Sequence, residues 1–430
     1  MKLLSVSVIL SLFMFNCSSD SSDSNIESRN ITSVVDEYEE PFDSELLSFE
    51  LSFGSEISGT KDEFLLVLAL DMLVNDDSDI IISDENSVKV YDKYGKGKKI
   101  FGRLGQGPGE FGRRTMFHLS PTNYLLVLDI THPANTYYNL FAPDYSFIEK
   151  KRLVISQSLE KILEYKELEP ENLELYRKMY ALNESEKVYE LRFAKTSGDN
   201  YTFVSEYTLL LIHEFNDTFV QLFYGEYPGY FSTPGYTGFA PQYGLFLWEL
   251  LPDHRIVYVY TDDDVHNEET DLHYYTLNLI SLDTLEKKQI IRKFVPVTYP
   301  ESWYDPDRYN RYELNKSVKN ALAKQWKDKK FYPSVEIILT DGMYIFAFLY
   351  KSHYNESSQD SPDEVYVDVF NLKEEKFVGS FTFPTYFNAI KNGYAYQRAE
   401  DQNGFLEIRK YKINPMVYGL PEDPDWRTKK

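Results

Sequence analysis

The chain has 430 residues, 43% of them hydrophobic and 16% aromatic, enough apolar material for one large all-β domain or two ordinary ones. Its formal net charge of −23 excludes a role built on electrostatic attraction to nucleic acid or to an anionic membrane surface. A single cysteine, Cys17, excludes a disulfide framework.

Residues 1–16, MKLLSVSVILSLFMFN, place one lysine before an apolar run too short to span a bilayer as a helix. The stretch reads as an export leader. Cys17 follows Met14-Phe15-Asn16 and reads as the lipidated residue of a bacterial lipobox, with Asn16 where a Gly or Ala is usual. Residues 18–44 open with SSDSSDS and read as a flexible acidic tether. The expected product is a globular body held by lipid at the bacterial cell envelope, facing the periplasm or the exterior.

Residues 45–53, ELLSFELSF, alternate apolar and polar, the period of a half-buried strand. DIIIS at 79–83 and SVKVY at 87–91 flank the turn Asp84-Glu85-Asn86, and a third strand at 98–102 follows the turn at 92–95. That strand runs into FGRLGQGPGEFGR at 101–113, with five glycines and Pro108. Such a segment cannot be helix. Read as a phosphate cradle it lacks a following helix N-terminus, and Pro108 removes a backbone donor. Gly105, Gly107, Pro108, Gly109 and Phe111 are therefore expected to form a structural joint between sheets, with Gly107 at positive φ and the Phe111 ring tucked inside.

The order of strands and turns recurs over 124–155, 187–224, 244–296, 333–384 and 387–413. A repeat of about 40–50 residues, each an up-and-down sheet of about four strands, is the blade of a β-propeller. The last repeat lacks an outer strand, and 45–53 can supply it, removing two free sheet edges. The reading is an all-β, six-bladed β-propeller over residues 45–414, with a C-terminal tail at 415–430. Two helical inserts interrupt it. One spans about 157–182, with Leu159, Ile162, Leu163, Leu168, Leu173, Leu175 and Met179 as its apolar face, broken at Pro170. The other is an amphipathic helix at about 306–330 carrying Tyr312, Val318, Leu322 and Trp326. Each packs as a cap on the blades or serves as a lid or partner face.

Asp84–Asn86 with Val88–Asp92, followed by GRLGQGPGEF at 102–111, resembles the six-bladed β-propeller lipoproteins common in Bacteroidetes and related bacteria, relatives of NHL-repeat propellers. Asn392-Gly393-Tyr394 and Lys410–Ile413 resemble that family's last blade, and the leader with Cys17 matches its lipoprotein start. The resemblance implies a fold and a binding habit. It supplies no shared catalytic set, and across 157–330 it extends only to strand rhythm.

Candidate chemistry is sparse. The seven histidines are scattered through the sequence without a His-Glu-x-x-His pair, so a zinc site would need histidines gathered across blades. TDDDVHNEETD at 261–271 holds six carboxylates. Asp262, Asp264 and Glu268 are its candidate calcium ligands, but the glycine that bends a calcium loop is missing and a solvated hairpin loop is the competing reading. No Gly-x-Ser-x-Gly elbow is present. The aromatic loop at 224–243 offers Tyr227, Tyr230, Phe231, Tyr236 and Phe239 as ligand or protein contacts, or as a packed crossing between blades. The expected function is a non-enzymatic binding or protein-interaction module, with a small molecule or protein as ligand and no required cofactor. The alternative is a hydrolase or lyase with a site at the axial funnel, metal-dependent through zinc or calcium.

Overall fold

The computed structural model describes residues 31–35, 46–421 and Trp426, apart from 86, 113–114, 131–135, 154–156, 170–172, 199–202, 234–235, 240–244, 312–315, 351–363 and the pairs 317–318, 321–322, 325–326 and 328–329. Cys17 and the leader lie outside the described residues.

Two strands precede the first blade: β1 (Ile31–Val35) and β2 (Leu47–Phe53). Blade one is β3 (Asp71–Val74), β4 (Ile80–Asp84), β5 (Ser87–Tyr91) and β6 (Gly97–Phe101). Blade two is β7 (Thr115–Leu119), β8 (Leu125–Ile130), β9 (Thr136–Phe141) and β10 (Phe147–Arg152). After helix α1 (Gln157–Tyr165), blade three comprises β11 (Leu173–Ala181), β12 (Glu186–Gly198), β13 (Phe203–Phe215), β14 (Thr218–Thr233) and β15 (Tyr236–Phe239). Blade four holds β16 (Phe246–Leu250), β17 (Arg255–Tyr260), β18 (Val265–Asn267), β19 (Leu272–Ser281) and β20 (Lys287–Lys293). Blade five is β21 (Val335–Asp341), β22 (Tyr344–Leu349), β23 (Val365–Asn371) and β24 (Lys376–Phe383). Blade six is β25 (Ala389–Lys391), β26 (Tyr394–Glu400) and β27 (Leu406–Ile413), with β2 as its outermost strand.

The core is divided among the six borders between neighbouring blades. Leu125 and Val127 face blade one, beside Ile81, Val88 and Val90. Leu126 and Leu128, one residue out of step, face blade three beside Met179, Leu191 and Leu210. A middle strand is thus buried on both faces, which is why β4 and β8 read as continuous apolar runs. The ring closes through β2, which pairs antiparallel with β27 from Leu47↔Ile413 to Phe53↔Ile408. Phe53 is buried between the last blade and the first, beside Met72, Tyr91 and Ile408.

Consecutive strands of a blade run antiparallel, so the turns after its first and third strands share one face of the ring. Connections after its second and fourth strands lie on the other. The first face carries short turns. The second carries the inserts: α1, the hairpin around β18 and the segment between β20 and β21.

Several sequence expectations are corrected. Helix covers only Gln157–Tyr165 of the insert expected at 157–182; Leu173–Ala181 is the innermost strand of blade three. Leu173, Leu175, Met179 and Ala181 also fit a period of two, and only pairing with β12 settles which period applies. The insert expected at 306–330 starts as two 3-10 turns, Glu301–Tyr304 and Pro306–Arg311. Its described residues between 316 and 327 are helical, with Ala323 buried; Tyr312, Val318, Leu322 and Trp326 lie outside the described residues. Residues 31–35 of the expected tether are a strand, with β1 running parallel to the open edge of β20 from Ile31↔Lys288 to Val35↔Arg292. The β-branched sequence ITSVV suits that edge. The described part of the C-terminal tail packs on the blades: Val417 is fully buried, Trp426 is 2% exposed, and the Tyr418 hydroxyl donates to Asp341 Oδ2 at 2.7 Å.

The described residues of the aromatic stretch at 224–243 are strand rather than loop. It continues β14 to Thr233, and β15 pairs back upon it from Tyr230↔Phe239 to Thr233↔Tyr236. With 13 residues each in β12 and β13 and 16 in β14, against five in β4, the middle strands of blade three are roughly 25 Å longer than those of blade one.

Candidate functional site

The glycine-rich joint runs between blades one and two. Gly102 and Gly109 have φ of +76° and +70°, whereas Gly107, expected at positive φ, lies outside the left-handed region. The chain folds back through Phe111 N–H donating to Arg103 O and Gly105 N–H donating to Phe111 O. Glu110 completes the turn: Oε2 accepts from Gly107 N–H at 2.8 Å and Oε1 accepts from Arg103 Nε at 2.7 Å. These bonds hold the carboxyl of Glu110 below its ordinary range, the Gly107 amide contributing most. Phe111 is 1% exposed and meets Phe117 and Phe141 edge-on. The N–H groups of Gly105, Gly107 and Phe111 and the Arg103 guanidinium are engaged within the joint, and the Gly112 N–H donates to Asp129 Oδ2 of blade two at 2.9 Å.

The acidic stretch at 261–271 is a docked hairpin, and its three candidate ligands do not converge. Asp264 accepts from Ser334 N–H at 3.1 Å and from Ser334 Oγ at 2.9 Å. Glu268 pairs with Lys330 at 2.7 Å, and Asp262 accepts from the Tyr260 hydroxyl at 3.1 Å. The His266 ring stacks on Phe331 at 4.4 Å. Burial raises the Asp264 carboxyl to about 7, and burial with the neighbouring His273 lowers His266 to about 4. The side chains of Tyr227, Tyr230, Phe231, Tyr236 and Phe239 lie outside the described part of blade three.

A pocket of about 140 Å³ opens at the axis on the short-turn face. Every blade contributes an innermost strand to it, through Val74, Leu119, Tyr180, Glu249, Thr340 and Lys391 among others. Its lining mixes aliphatic side chains such as Leu119, Leu250 and Ile390 with polar ones such as Asn123, Thr340 and Asn388, and its charged groups, Glu249 and Lys391, are already paired. Glu249 Oε1 accepts from Lys178 Nζ at 2.6 Å and Oε2 from the Tyr180 hydroxyl at 2.6 Å. Lys178 also donates to Trp248 O at 2.5 Å. Burial, then the Glu249 charge, raises the Tyr180 hydroxyl far above its ordinary range. Behind Tyr180, His118 lies edge-on at 5.9 Å; its buried Nε2 has no hydrogen-bond partner. Burial and the Lys178 charge lower this imidazole to about 3, so it is neutral at physiological pH.

Sequence reading missed Lys178, Tyr180 and Glu249. Lys178 and Tyr180 fell in the stretch expected to be helix. The alternation of Leu173, Leu175, Met179 and Ala181 places both on the opposite face of a strand, and is the signal that could have found them. Nothing local connects them to Glu249, which is 71 residues away from Lys178.

Among the described histidines, His213 and His254 converge on one carboxylate. His213 Nε2 and His254 Nε2 lie 2.9 and 2.7 Å from Glu186 Oε1, on the short-turn face at the border of blades three and four.

Residues 25–222 match the family model DUF5128, described as a 6-bladed beta-propeller. The fold is a six-bladed β-propeller. No curated protein matches the chain. Among solved structures, a Bacteroides fragilis protein named for its expected export is 14% identical, covers 89% of this chain and 99% of its own, and has a TM-score of 0.47. The Pan2 WD40 domain of Neurospora crassa is 11% identical, with coverages of 80% and 88% and a TM-score of 0.32.

Proposed function

We infer that this propeller is a binding module of the bacterial cell envelope, tethered by lipid at Cys17, that takes a small uncharged polar ligand at the axial pocket. The observation that carries the reading is the composition of that pocket. Six innermost strands converge on one hollow lined by both aliphatic and polar side chains, and its partly buried acid, Glu249, is already shared between Lys178 and Tyr180. A charged ligand would have to displace these partners. A neutral polar group gains the apolar walls and the exposed edges of the polar set without breaking them. The apolar leader before Cys17 supports the envelope location.

Two measurements test the reading. A thermal-shift screen of neutral polar small molecules should give ligands whose stabilisation disappears in Thr340→Trp, which fills the pocket mouth. Undiminished stabilisation in that variant would place binding elsewhere. For the tether, Cys17→Ser should move the protein from the membrane fraction to the soluble fraction; an unchanged distribution would overturn lipid anchoring at this residue.

A further inference from the structure

The cluster of Glu186, His213 and His254 lies outside the pocket and is built from two blades. Glu186 begins β12, His213 lies near the end of β13, and His254 occupies the turn between β16 and β17. Their ligand atoms all lie within 4.8 Å of one another.

The repeat shows what is unusual here. The same five-residue turn joins the first two strands of blades one, two and four, closed by Asn75 N–H to Asp79 O, Ser120 N–H to Tyr124 O and Leu251 N–H to Arg255 O. Its fourth residue is left-handed each time: Ser78, Asn123 and His254, with φ of 64°, 65° and 64°. Asn and His are among the side chains that adopt this conformation, and blade four uses it to present an imidazole. The fifth position also differs. In blade one, Asp79 is neutralised by Lys98 Nζ at 2.6 Å. In blade three the corresponding residue is Glu186, and its ionic partners among the described residues are the two imidazoles.

The atoms then pose a chemical problem. His254 Nδ1 lies 2.7 Å from Asp283 Oδ1. A doubly protonated ring donates to both carboxylates, but a neutral imidazole that donates Nδ1–H to Asp283 points the Nε2 lone pair at Glu186 Oε1, as acceptor against acceptor. A divalent cation between them removes the conflict and uses both lone pairs. An outer carboxylate on the far nitrogen of a ligating histidine is the usual support for such a bond.

We propose that Glu186 Oε1, His213 Nε2 and His254 Nε2 bind one zinc ion, oriented by Asp283, that clasps blade three to blade four. Two imidazoles and one carboxylate suit zinc, whereas calcium and magnesium prefer oxygen ligands throughout. Zinc bonds of about 2.0–2.2 Å in a tetrahedral arrangement separate neighbouring ligand atoms by about 3.3–3.6 Å. The two contacts to Glu186 therefore need to open by roughly half an ångström, with the two imidazole nitrogens, within 4.8 Å of one another, adjusting alongside, which the partly exposed turn carrying His254 permits. Solvent on the short-turn face supplies the fourth ligand.

The test uses the purified protein, stripped with chelator and titrated with zinc. The expected result is one zinc per chain, a raised melting temperature on loading, and no displacement by excess calcium or magnesium. His254→Asn keeps a residue suited to the left-handed turn, so its zinc-free melting temperature should match that of the parent. Its zinc affinity should fall at least 100-fold, and that of Asp283→Asn by about 10–100-fold. Cobalt in place of zinc should give the visible absorption of a tetrahedral site, absent in His254→Asn. Less than one zinc bound, displacement by calcium, or unaltered affinity in His254→Asn would each overturn the assignment. In that event, protonated imidazoles hold Glu186.

Discussion

The Tyr180 hydroxyl donates to Glu249 Oε2 at 2.6 Å across the border between blades three and four, while Lys178 holds the other oxygen of the same carboxylate. Glu249 and Lys178 side chains are 18% and 23% exposed. Removing the carboxylate alone leaves a largely buried ammonium and a phenol without their acceptor. Glu249→Ala should destabilise the protein by about 2–4 kcal/mol in denaturant unfolding. The double variant Lys178→Met with Glu249→Leu should recover much of that loss. A double variant no more stable than the single one would show that the pair is not the source.

Gly102 and Gly404 both have positive φ, of +76° and +82°, but in different surroundings. A Cβ at Gly102 would stand 2.0 Å from the Phe111 ring, whereas at Gly404 it would meet nothing within 4 Å. Gly102→Ala should cost about 2–4 kcal/mol and Gly404→Ala about 1 kcal/mol. Equal losses in the two melting curves would mean that backbone strain, not the packing of Phe111, decides the matter.

Phe53 sits 4.8 Å from the Tyr91 ring and is 2% exposed. It fastens the closing strand against blade one. Phe53→Ala should cost about 3–5 kcal/mol and raise the rate of proteolysis at the blade-six edge. A near-neutral variant would mean that the β2–β27 ladder closes the ring without this contact.

His118 predicts an acid limb in the stability curve. Its folded pKa, lowered to about 3 by burial and by Lys178, lies below the usual imidazole value of about 6.5. Between these values the unfolded chain binds the extra proton, so stability rises with pH and is lost as pH falls below about 6.5. His266, lowered to about 4, adds loss of the same sign through the hairpin it holds. Asp264, raised to about 7, acts oppositely: its contribution is present below about 4 and is lost as pH rises towards 7. His118→Leu should lose less stability than the parent between pH 7 and pH 4.5 in paired thermal melts. Parallel curves would remove His118 as a source of acid sensitivity.

Strand existence was legible wherever apolar runs were bounded by turn chemistry, as at 79–91 and 124–141. The closing role of 45–53 was legible too, because a sixth repeat short of one strand leaves an edge that the alternating ELLSFELSF can fill. Where two periods fitted the same residues, as at Leu173, Leu175 and Met179, pattern alone could not choose. The long strands of blade three were hidden by glycine and proline within an aromatic run that has loop composition but sheet partners.

By itself, then, the sequence determined the architecture: repeated short strands that bury both faces need neighbours on both sides, and a ring of blades supplies them. The tertiary structure alone decided the sites. Glu186 meets His213 and His254 from 27 and 68 residues away, and Lys178 meets Glu249 from 71. Such meetings depend on how adjacent blades twist and pack, and no local pattern of residues records that geometry.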